Sequence, residues 1–134
     1  MNFAAVSIHL AGAMLGAMVF FAGVVAPVVF KALPEASART FLRTLFPRYY
    51  DVLAVVAFVA AVFAFASWHG AMLAGVGGLF VFSRFGLMPK INAARDASAS
   101  DEAAATRFER LHKLSVWINV AQMAALIAAL ATAG

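Results

Sequence analysis

The chain has 134 residues, of which 65% are hydrophobic and 12% are charged, and its formal net charge is +4. Soluble domains are about 45–50% apolar and about 25% charged, so this composition excludes a soluble globular protein and indicates an integral membrane protein. Cysteine is absent, which excludes disulfides, thiolate metal sites and thiol-based catalysis.

The first predicted element is a long apolar helix. Residues 1–30 contain no Lys, Arg, Asp or Glu. A secretory signal peptide begins with a basic region and has a shorter apolar run, so this segment does not resemble one. A transmembrane helix needs about 20 apolar residues, so the segment predicts a first span over residues 3–30. Because this span is longer than one crossing requires, we expect it to tilt or to bend near Pro27.

A charged amphipathic segment follows the first span. Pro34 suits the first turn of a helix, and the large apolar side chains after it share one helical face, namely Phe41, Leu42, Leu45 and Phe46. Arg39 and Arg43 fall on another face. This pattern predicts a short interfacial helix over residues 35–46, which Pro47 ends.

Two closely spaced spans are predicted next. Residues 52–83 contain no formal charge, which is too long a stretch for one crossing and just long enough for two. The turn signal inside it is "SWHG" at 67–70. We therefore predict a second span over residues 49–68 and a third over residues 70–88, with Arg84 inside the third span near one end.

The last predicted element is a long helix that enters the membrane part-way along its length. "ASAS" at 97–100 indicates a loop, and Ser100 is a suitable N-cap for a helix over residues 101–133. The start of this helix is too polar for lipid, so we place the fourth span over residues 112–133. The chain is then a single transmembrane domain, residues 1–134, and its fold class is an all-α four-helix bundle.

The basic residues predict how the bundle is oriented. All ten Lys and Arg residues lie within 31–48 and 84–113. By the positive-inside rule, the two basic loops face the cytoplasm and both termini lie outside an inner membrane. The net positive charge is thereby assigned to membrane orientation, so the partner we expect is the lipid bilayer and not nucleic acid.

Small residues recur at helical spacing in three of the spans. Gly12, Gly16 and Gly23 lie on the same face of span one as His9. Sets spaced by four occur in spans three and four, namely Gly70, Ala74 and Gly78, and Ala121, Ala125, Ala129 and Ala133. Small residues let membrane helices pack closely. They predict a tightly packed bundle, and they leave open association with a second copy or with partner helices.

A polar stripe runs along the start of span four. His112, Ser115, Asn119 and Gln122 are spaced by three, four and three residues, which places them within an arc of roughly 80° on a helix. Two interpretations remain open. The stripe forms hydrogen bonds between helices, or it lines a polar cavity open to the cytoplasm.

The second interpretation predicts a ligand site at the cytoplasmic end. The residues expected there are Tyr50, Asp51, Arg84, His112, Ser115, Asn119 and Gln122. Arg84 and His112 would attract an anionic or polar group. Ser115 and Asn119 would orient that group. As an alternative, Arg84 would form an ion pair with Asp51.

Signatures of soluble enzymes are missing from the sequence. No carboxylate pair lies within the spans, no GxSxG or HExxH motif occurs, and no three metal ligands have a suitable spacing. We therefore favour a non-enzymatic ligand-binding or transport-associated bundle without a metal site. We assign no catalytic residues to it and leave its cofactor unknown.

His9 carries the main alternative function. It lies about 9 Å below the outer membrane face at 1.5 Å per residue, where a histidine is costly unless it faces the bundle interior. We therefore expect it to face inward, either as an axial haem ligand, a proton carrier or a polar contact to a substrate, or as a neutral side chain hydrogen-bonded to a carbonyl. His9 and His112 differ in depth by roughly 20 Å, so they cannot hold one haem together. The alternatives are thus a b-type haem protein or oxidase that uses His9, and a structural subunit of a membrane complex.

Four stretches of the chain resemble a known family. They are "IHLAGAMLGAMVFFAGVVAPVVFKALP" (8–34), "TLFPRYYDV" (44–52), "MPKINAAR" (88–95) and "RFERLHKLSVWINV" (107–120). Together they resemble the small four-helix family named after transmembrane protein 205, whose most specific boxes are L-F-P-x-Y-Y and F-x-x-L-H-x-x-S-x-x-x-N. The resemblance covers nearly the whole chain and implies a four-span membrane protein of largely uncharacterised activity.

Span one also distantly resembles the first helix of two further membrane families, the haem-dependent protoporphyrinogen oxidases and the copper-resistance D proteins. Both show H-x-x-G followed by G-x(n)-P-x-x-F, which here falls on His9, Gly12, Gly23, Pro27 and Phe30. In the oxidases the corresponding histidine binds haem. This resemblance implies haem b as a cofactor held by His9.

Overall fold

The computed structural model describes residues 2–133, which form four long helices and, within that range, no strand. α1 spans Phe3–Ala32, α2 spans Glu35–Phe63, α3 spans Trp68–Ala97 and α4 spans Glu102–Ala131. Each helix is long and apolar enough to cross a membrane. The all-α four-helix membrane bundle predicted from the sequence is confirmed.

Short connections join successive helices, so neighbours along the chain run antiparallel. As a result, the end of α1, the starts of α2 and α4 and the end of α3 lie together. We call this the charged end, because residues 31–48 and 84–113 there carry all ten Lys and Arg residues. The opposite, uncharged end carries the turn at 64–67.

Side chains cap the first turns of α1, α3 and α4. Asn2 Oδ1, Ser67 Oγ and Asp101 Oδ1 each accept a hydrogen bond from a backbone N–H of their helix at 2.9–3.2 Å. The cap of α4 is therefore Asp101 and not the predicted Ser100. A carboxylate suits this position because it also faces the positive end of the helix dipole.

A π-helical turn interrupts each odd-numbered helix, at Phe21–Val25 in α1 and at Ser83–Leu87 in α3. Each turn ends two residues before a proline, Pro27 or Pro89. A helical proline lacks an N–H, and its ring clashes with the carbonyl four residues earlier. That carbonyl belongs to the π turn, whose wider spacing accommodates the ring. The irregularity expected near Pro27 is thus a π turn, and α3 continues beyond its predicted end to Ala97.

α2 runs without interruption through Pro47, where the sequence pattern placed a break. Phe46 and Tyr49, on either side of the proline, both pack against Phe21 of α1, with ring centroids 5.2 and 4.9 Å away. Because both residues contact the same ring, this packing stabilises a continuous helix before and after Pro47. The carbonyl that loses its N–H partner lies near the polar end, where water can satisfy it. Residues 35–46 are therefore the first turns of α2 and not a separate helix.

The core joins long side chains of α1, α3 and α4 to Leu53 and three alanines of α2. The largest fully buried side chains are Met14, Met18, Leu73, Phe80 and Leu126. α2 contributes Ala54, Ala57 and Ala60. Alanines let membrane helices approach closely, and the α2–α3 interface is the most extensive in the bundle.

α1 turns a different face inward from the predicted one. Its buried residues are Ser7, Ala11, Met14 and Met18. His9, Gly16 and Gly23 are exposed on the outside of the bundle. The expectation that His9, Gly16 and Gly23 face the interior was wrong, whereas Gly12 is half-buried beside Leu130 of α4. α1 is apolar around its whole circumference, so its hydrophobic pattern marks no inner face.

Candidate functional site

A cleft with a volume of about 330 Å³ opens at the charged end and is lined by residues from all four helices. We call it the basic cleft. Its apolar lining consists of Phe30, Leu42, Phe46, Leu87, Met88, Ile91 and Phe108. Its polar lining consists of Glu35, Arg39, Arg43, Tyr50, Ser83, Asn92, Arg95, His112 and Ser115. The volume lies at the lower end of the range typical of small-molecule sites.

Glu35, at the start of α2, connects two arginines across the cleft. Its Oε1 accepts a hydrogen bond from Arg39 Nη2 at 2.8 Å and another from Arg95 Nη2 at 2.9 Å. Arg39 lies one turn further along α2, whereas Arg95 belongs to α3. One carboxylate oxygen therefore bridges two helices and is shared by two guanidinium groups.

Arg43 forms a second link between α2 and α3. It donates to both carboxylate oxygens of Asp96, with Nη2–Oδ1 at 2.6 Å and Nη1–Oδ2 at 3.2 Å. It also donates to the Asn92 carbonyl at 3.2 Å. Asp96 follows the apolar part of α3 and lies beyond the hydrocarbon, and the hydrogen bond from Arg43 lowers its pKa.

The charges of this network do not cancel. Arg39, Arg43 and Arg95 contribute three positive charges, and Glu35 and Asp96 contribute two negative charges. One positive charge remains. Because Arg43 has its own bidentate partner, the surplus belongs to the pair of arginines that shares Glu35.

Phe108 of α4 forms the aromatic side of the basic cleft. The Arg95 guanidinium carbon lies 5.0 Å from the centre of the Phe108 ring, within the range of a cation–π contact. The His112 ring stacks on Phe108 with centroids 5.8 Å apart and an interplanar angle of 10°. Ser115 Oγ donates to the His112 carbonyl within α4 at 2.7 Å. Arg95 of α3 and His112 of α4 therefore both pack against the Phe108 ring.

The family described as a domain of unknown function (DUF4149) matches residues 9–100, more than half of the chain. The protein belongs to the DUF4149 family. No curated protein and no solved structure matches the chain. With four membrane-spanning helices, it is a small multi-pass membrane protein of an uncharacterised family.

The matched region of this DUF4149 protein contains only part of the basic cleft. α1, α2 and α3 fall almost entirely within residues 9–100, and the match ends in the loop before α4. Arg39 and Arg95 with their shared Glu35 therefore lie inside the matched region. Phe108 and His112 lie outside it.

Three of the predicted site residues, Tyr50, His112 and Ser115, line the basic cleft. Asp51 and Arg84 do not, because they lie against each other, with Arg84 Nε 3.2 Å from Asp51 Oδ1. This contact is an ion pair by distance without the alignment of a hydrogen bond. The alternative pairing of Arg84 with Asp51 is therefore the one that the structure shows.

The polar stripe of α4 divides into two parts. At its inner end, Gln122 is buried and Nε2 donates to the Val76 carbonyl of α3 at 3.2 Å. Gln122 thus forms a hydrogen bond that links α4 to α3. Asn119 is half-buried and does not line the cleft. Only the part of the stripe nearer the charged end, His112 and Ser115, lines the basic cleft.

Four charged residues of the cleft are not among the predicted site residues, namely Glu35, Arg39, Arg43 and Arg95. Their charges were attributed to orientation and to an interfacial helix. A signal was present, since Glu35, Arg39 and Arg43 recur every four residues and share one face of a continuous α2. The predicted helix over residues 35–46 already has this face, and the structure adds its contact with Arg95 of α3.

A second cavity of about 260 Å³ lies at the uncharged end. Its lining is largely apolar, with Ser7, Ser67 and His69 as polar members. His69 Nε2 lies 3.2 Å from Thr132 Oγ1, which links α3 to the end of α4. This contact gives His69 a structural partner.

His9 does not fit the role of an axial haem ligand within the bundle. It lies on the outer face of α1, lines neither of the two cavities, and its Nδ1 is 2.6 Å from the Ala5 carbonyl of its own helix. A methionine can serve as the second axial ligand of a haem, but Met14 is buried about 140° around the same helix. The two side chains therefore do not converge on one site.

Proposed function

We propose that this DUF4149 protein is a ligand-binding or transport-associated bundle whose basic cleft takes a molecule with an anionic or polar group. The observation that carries the proposal is the carboxylate oxygen of Glu35, shared by Arg39 and Arg95 inside a cleft built from all four helices. A site that already holds a carboxylate between two guanidinium groups has the chemistry to hold an anion. No catalytic step is part of this function.

We further propose that the charged end faces the cytoplasm and that the bundle lies in the inner membrane with both termini outside. The segregation of all ten Lys and Arg residues to the charged end supports this orientation. The basic cleft would then open to cytoplasmic solutes and to the inner leaflet. We also propose kinship with the family named after transmembrane protein 205, on the boxes around Tyr50 and His112.

Retention of a small molecule through purification tests the ligand-binding function. In Arg95→Gln, one of the two guanidinium groups around Glu35 is removed, and the amount of anionic ligand retained should fall about tenfold, since hydrogen bonds to charged groups contribute about 1.5–3 kcal/mol. Native mass spectrometry of the protein in mild detergent measures the bound mass.

The matched control is Arg110→Gln, which removes the same charge from an exposed position of α4 outside the basic cleft. It should retain the wild-type amount. Equal retention by wild type and Arg95→Gln would contradict the proposed function, as would a wild-type protein that carries no bound molecule after expression and mild extraction.

A second candidate function is assembly with another membrane helix through the outer face of α1. His9, Ala13, Gly16 and Gly23 are exposed along one stripe of this helix. A histidine that faces lipid is costly, so a covering helix would stabilise this face. An added Cβ at Gly16 or Gly23 would meet nothing within 4 Å, which supports a face available to a partner.

Gly16→Leu is expected to reduce self-association or partner association at least severalfold, because a large side chain on a small-residue face prevents close helix approach. Cross-linking in native membranes measures the association. Gly75→Leu serves as the control, since Gly75 is also exposed and unobstructed but belongs to α3. Association that survives Gly16→Leu at the wild-type level would exclude this face.

The haem alternative through His9 receives less support, because nothing within the bundle faces that side chain. A Soret band in the purified protein that disappears in His9→Ala would favour it. Protein that stays colourless after expression with ample haem would exclude it.

A further inference from the structure

We propose that the ligand of the basic cleft is an anionic phospholipid, whose phosphate replaces the Glu35 carboxylate between Arg39 and Arg95. This inference rests on the proposed function, since it names the ligand class of the same cleft. Three properties of the cleft carry it, namely its charge balance, its apolar wall and its level in the membrane.

The charge of the site fits a headgroup with one negative charge, because a singly charged phosphate that replaces the Glu35 carboxylate leaves the charge around Arg39 and Arg95 unchanged. Arg39 and Arg95 share one carboxylate, which leaves one positive charge on the pair. Glu35 is the most exposed member, with its side chain 75% accessible, and ion pairs at exposed positions are weak. A phosphate can accept paired hydrogen bonds from guanidinium groups. Glu35 can therefore turn into water while a phosphate takes its place.

The apolar wall fits an acyl chain. Phe30, Phe46 and Leu87 come from three different helices and line the same cleft as the arginines. Phe30 is 66% exposed, so this wall continues into the surface that faces the bilayer. A small soluble anion would leave Phe30 uncovered, whereas a lipid would cover it with its own chain.

The level of the arginines fits a headgroup. α3 needs about 20 residues to cross about 30 Å of hydrocarbon, which places Met88 near the boundary when the crossing begins at Trp68. Arg95 then lies about 10 Å further along the helix axis, in the headgroup region. Basic pockets between helices on the cytoplasmic side are known sites for anionic headgroups.

Lipid titration in detergent, followed by native mass spectrometry, tests the inference. The probes are phosphatidylglycerol, phosphatidylcholine with the same acyl chains, and inorganic phosphate. Phosphatidylglycerol should bind about tenfold more tightly than phosphatidylcholine, and Arg95→Gln should abolish this preference. Glu35→Gln should increase the affinity for phosphatidylglycerol about threefold, because it removes the competing carboxylate. Arg110→Gln should leave all three affinities unchanged.

Each contrary outcome has a separate meaning. Equal affinity for the two lipids, unchanged in Arg95→Gln, would show ordinary lipid surrounding the bundle and would overturn the inference. Inorganic phosphate bound as tightly as phosphatidylglycerol would overturn the lipid assignment and leave anion binding intact. Unchanged or weaker binding by a folded Glu35→Gln variant would overturn the replacement of Glu35. Absence of any bound anion would overturn the proposed function as well.

Discussion

Phe80→Ala is expected to lower the free energy of unfolding by about 3 kcal/mol. Phe80 is the largest of the fully buried side chains and belongs to the hydrophobic core. Its ring centroid is 6.2 Å from that of Tyr50, which lines the basic cleft. In a membrane the unfolded helix keeps its side chains in lipid, so the loss comes mainly from packing contacts and the lower end of the usual range applies.

Unfolding by a denaturing detergent in mixed micelles, followed by circular dichroism, measures this effect. Phe82→Ala is the control, because Phe82 lies two residues further on the same helix and is 49% exposed toward lipid. The control should change stability by no more than about 0.5 kcal/mol. If both variants unfold at the same detergent fraction, burial of Phe80 does not stabilise the bundle more than the exposed Phe82 does.

Gly70→Ala is expected to lower the free energy of unfolding by about 1–3 kcal/mol, the cost of overpacking a close contact. A Cβ on Gly70 would lie 2.5 Å from the Ala64 carbonyl oxygen and 3.2 Å from that of Ala61. Both atoms are backbone, so neither can rotate away. The turn between α2 and α3 would have to open, at the point where these helices pack most extensively.

Gly75→Ala provides the opposite result within the same helix. A Cβ there meets nothing within 4 Å, and alanine is a better helix former than glycine by about 1 kcal/mol. Gly75→Ala should therefore leave stability unchanged or raise it, in the same detergent titration. A destabilisation equal to that of Gly70→Ala would show that helix glycines are required for reasons other than the tight turn.

The membrane spans could be predicted from the sequence because hydrocarbon imposes a strong and simple constraint. Long uncharged runs and two clusters of basic residues were enough to give four helices and their antiparallel order. The exact ends of the helices were harder to predict. Pro47 is a helix breaker by propensity, and only its packing neighbour Phe21, distant in sequence, shows why α2 continues.

The inward face of α1 could not be predicted for a different reason. A helix in lipid is apolar on every side, so hydrophobicity does not separate core from surface. The glycines and His9 suggested one face, but the core is filled by Met14 and Met18, whose flexible side chains suit irregular space. The face of α1 that is buried therefore depends on how its side chains pack against the neighbouring helices.

The basic cleft was predicted in part. His112 and Ser115 were found because polar residues stand out in an apolar span. The arginines were missed because charges outside the hydrocarbon are expected in any membrane protein. Their significance comes from pairing across helices, with Glu35 on α2 reaching Arg95 on α3, and a contact between residues sixty positions apart leaves no local pattern.

The continuity of α2 through Pro47 gives the cleft a mechanical property. The 29 residues of α2 extend about 43 Å, whereas the hydrocarbon is about 30 Å thick. About 13 Å at the start of α2 therefore extends beyond the hydrocarbon. A 10° change in the tilt of α2 moves the tip of this extension by about 2 Å. Because bilayer thickness influences helix tilt, we expect the separation between Arg39 on α2 and Arg95 on α3 to depend on the thickness of the membrane.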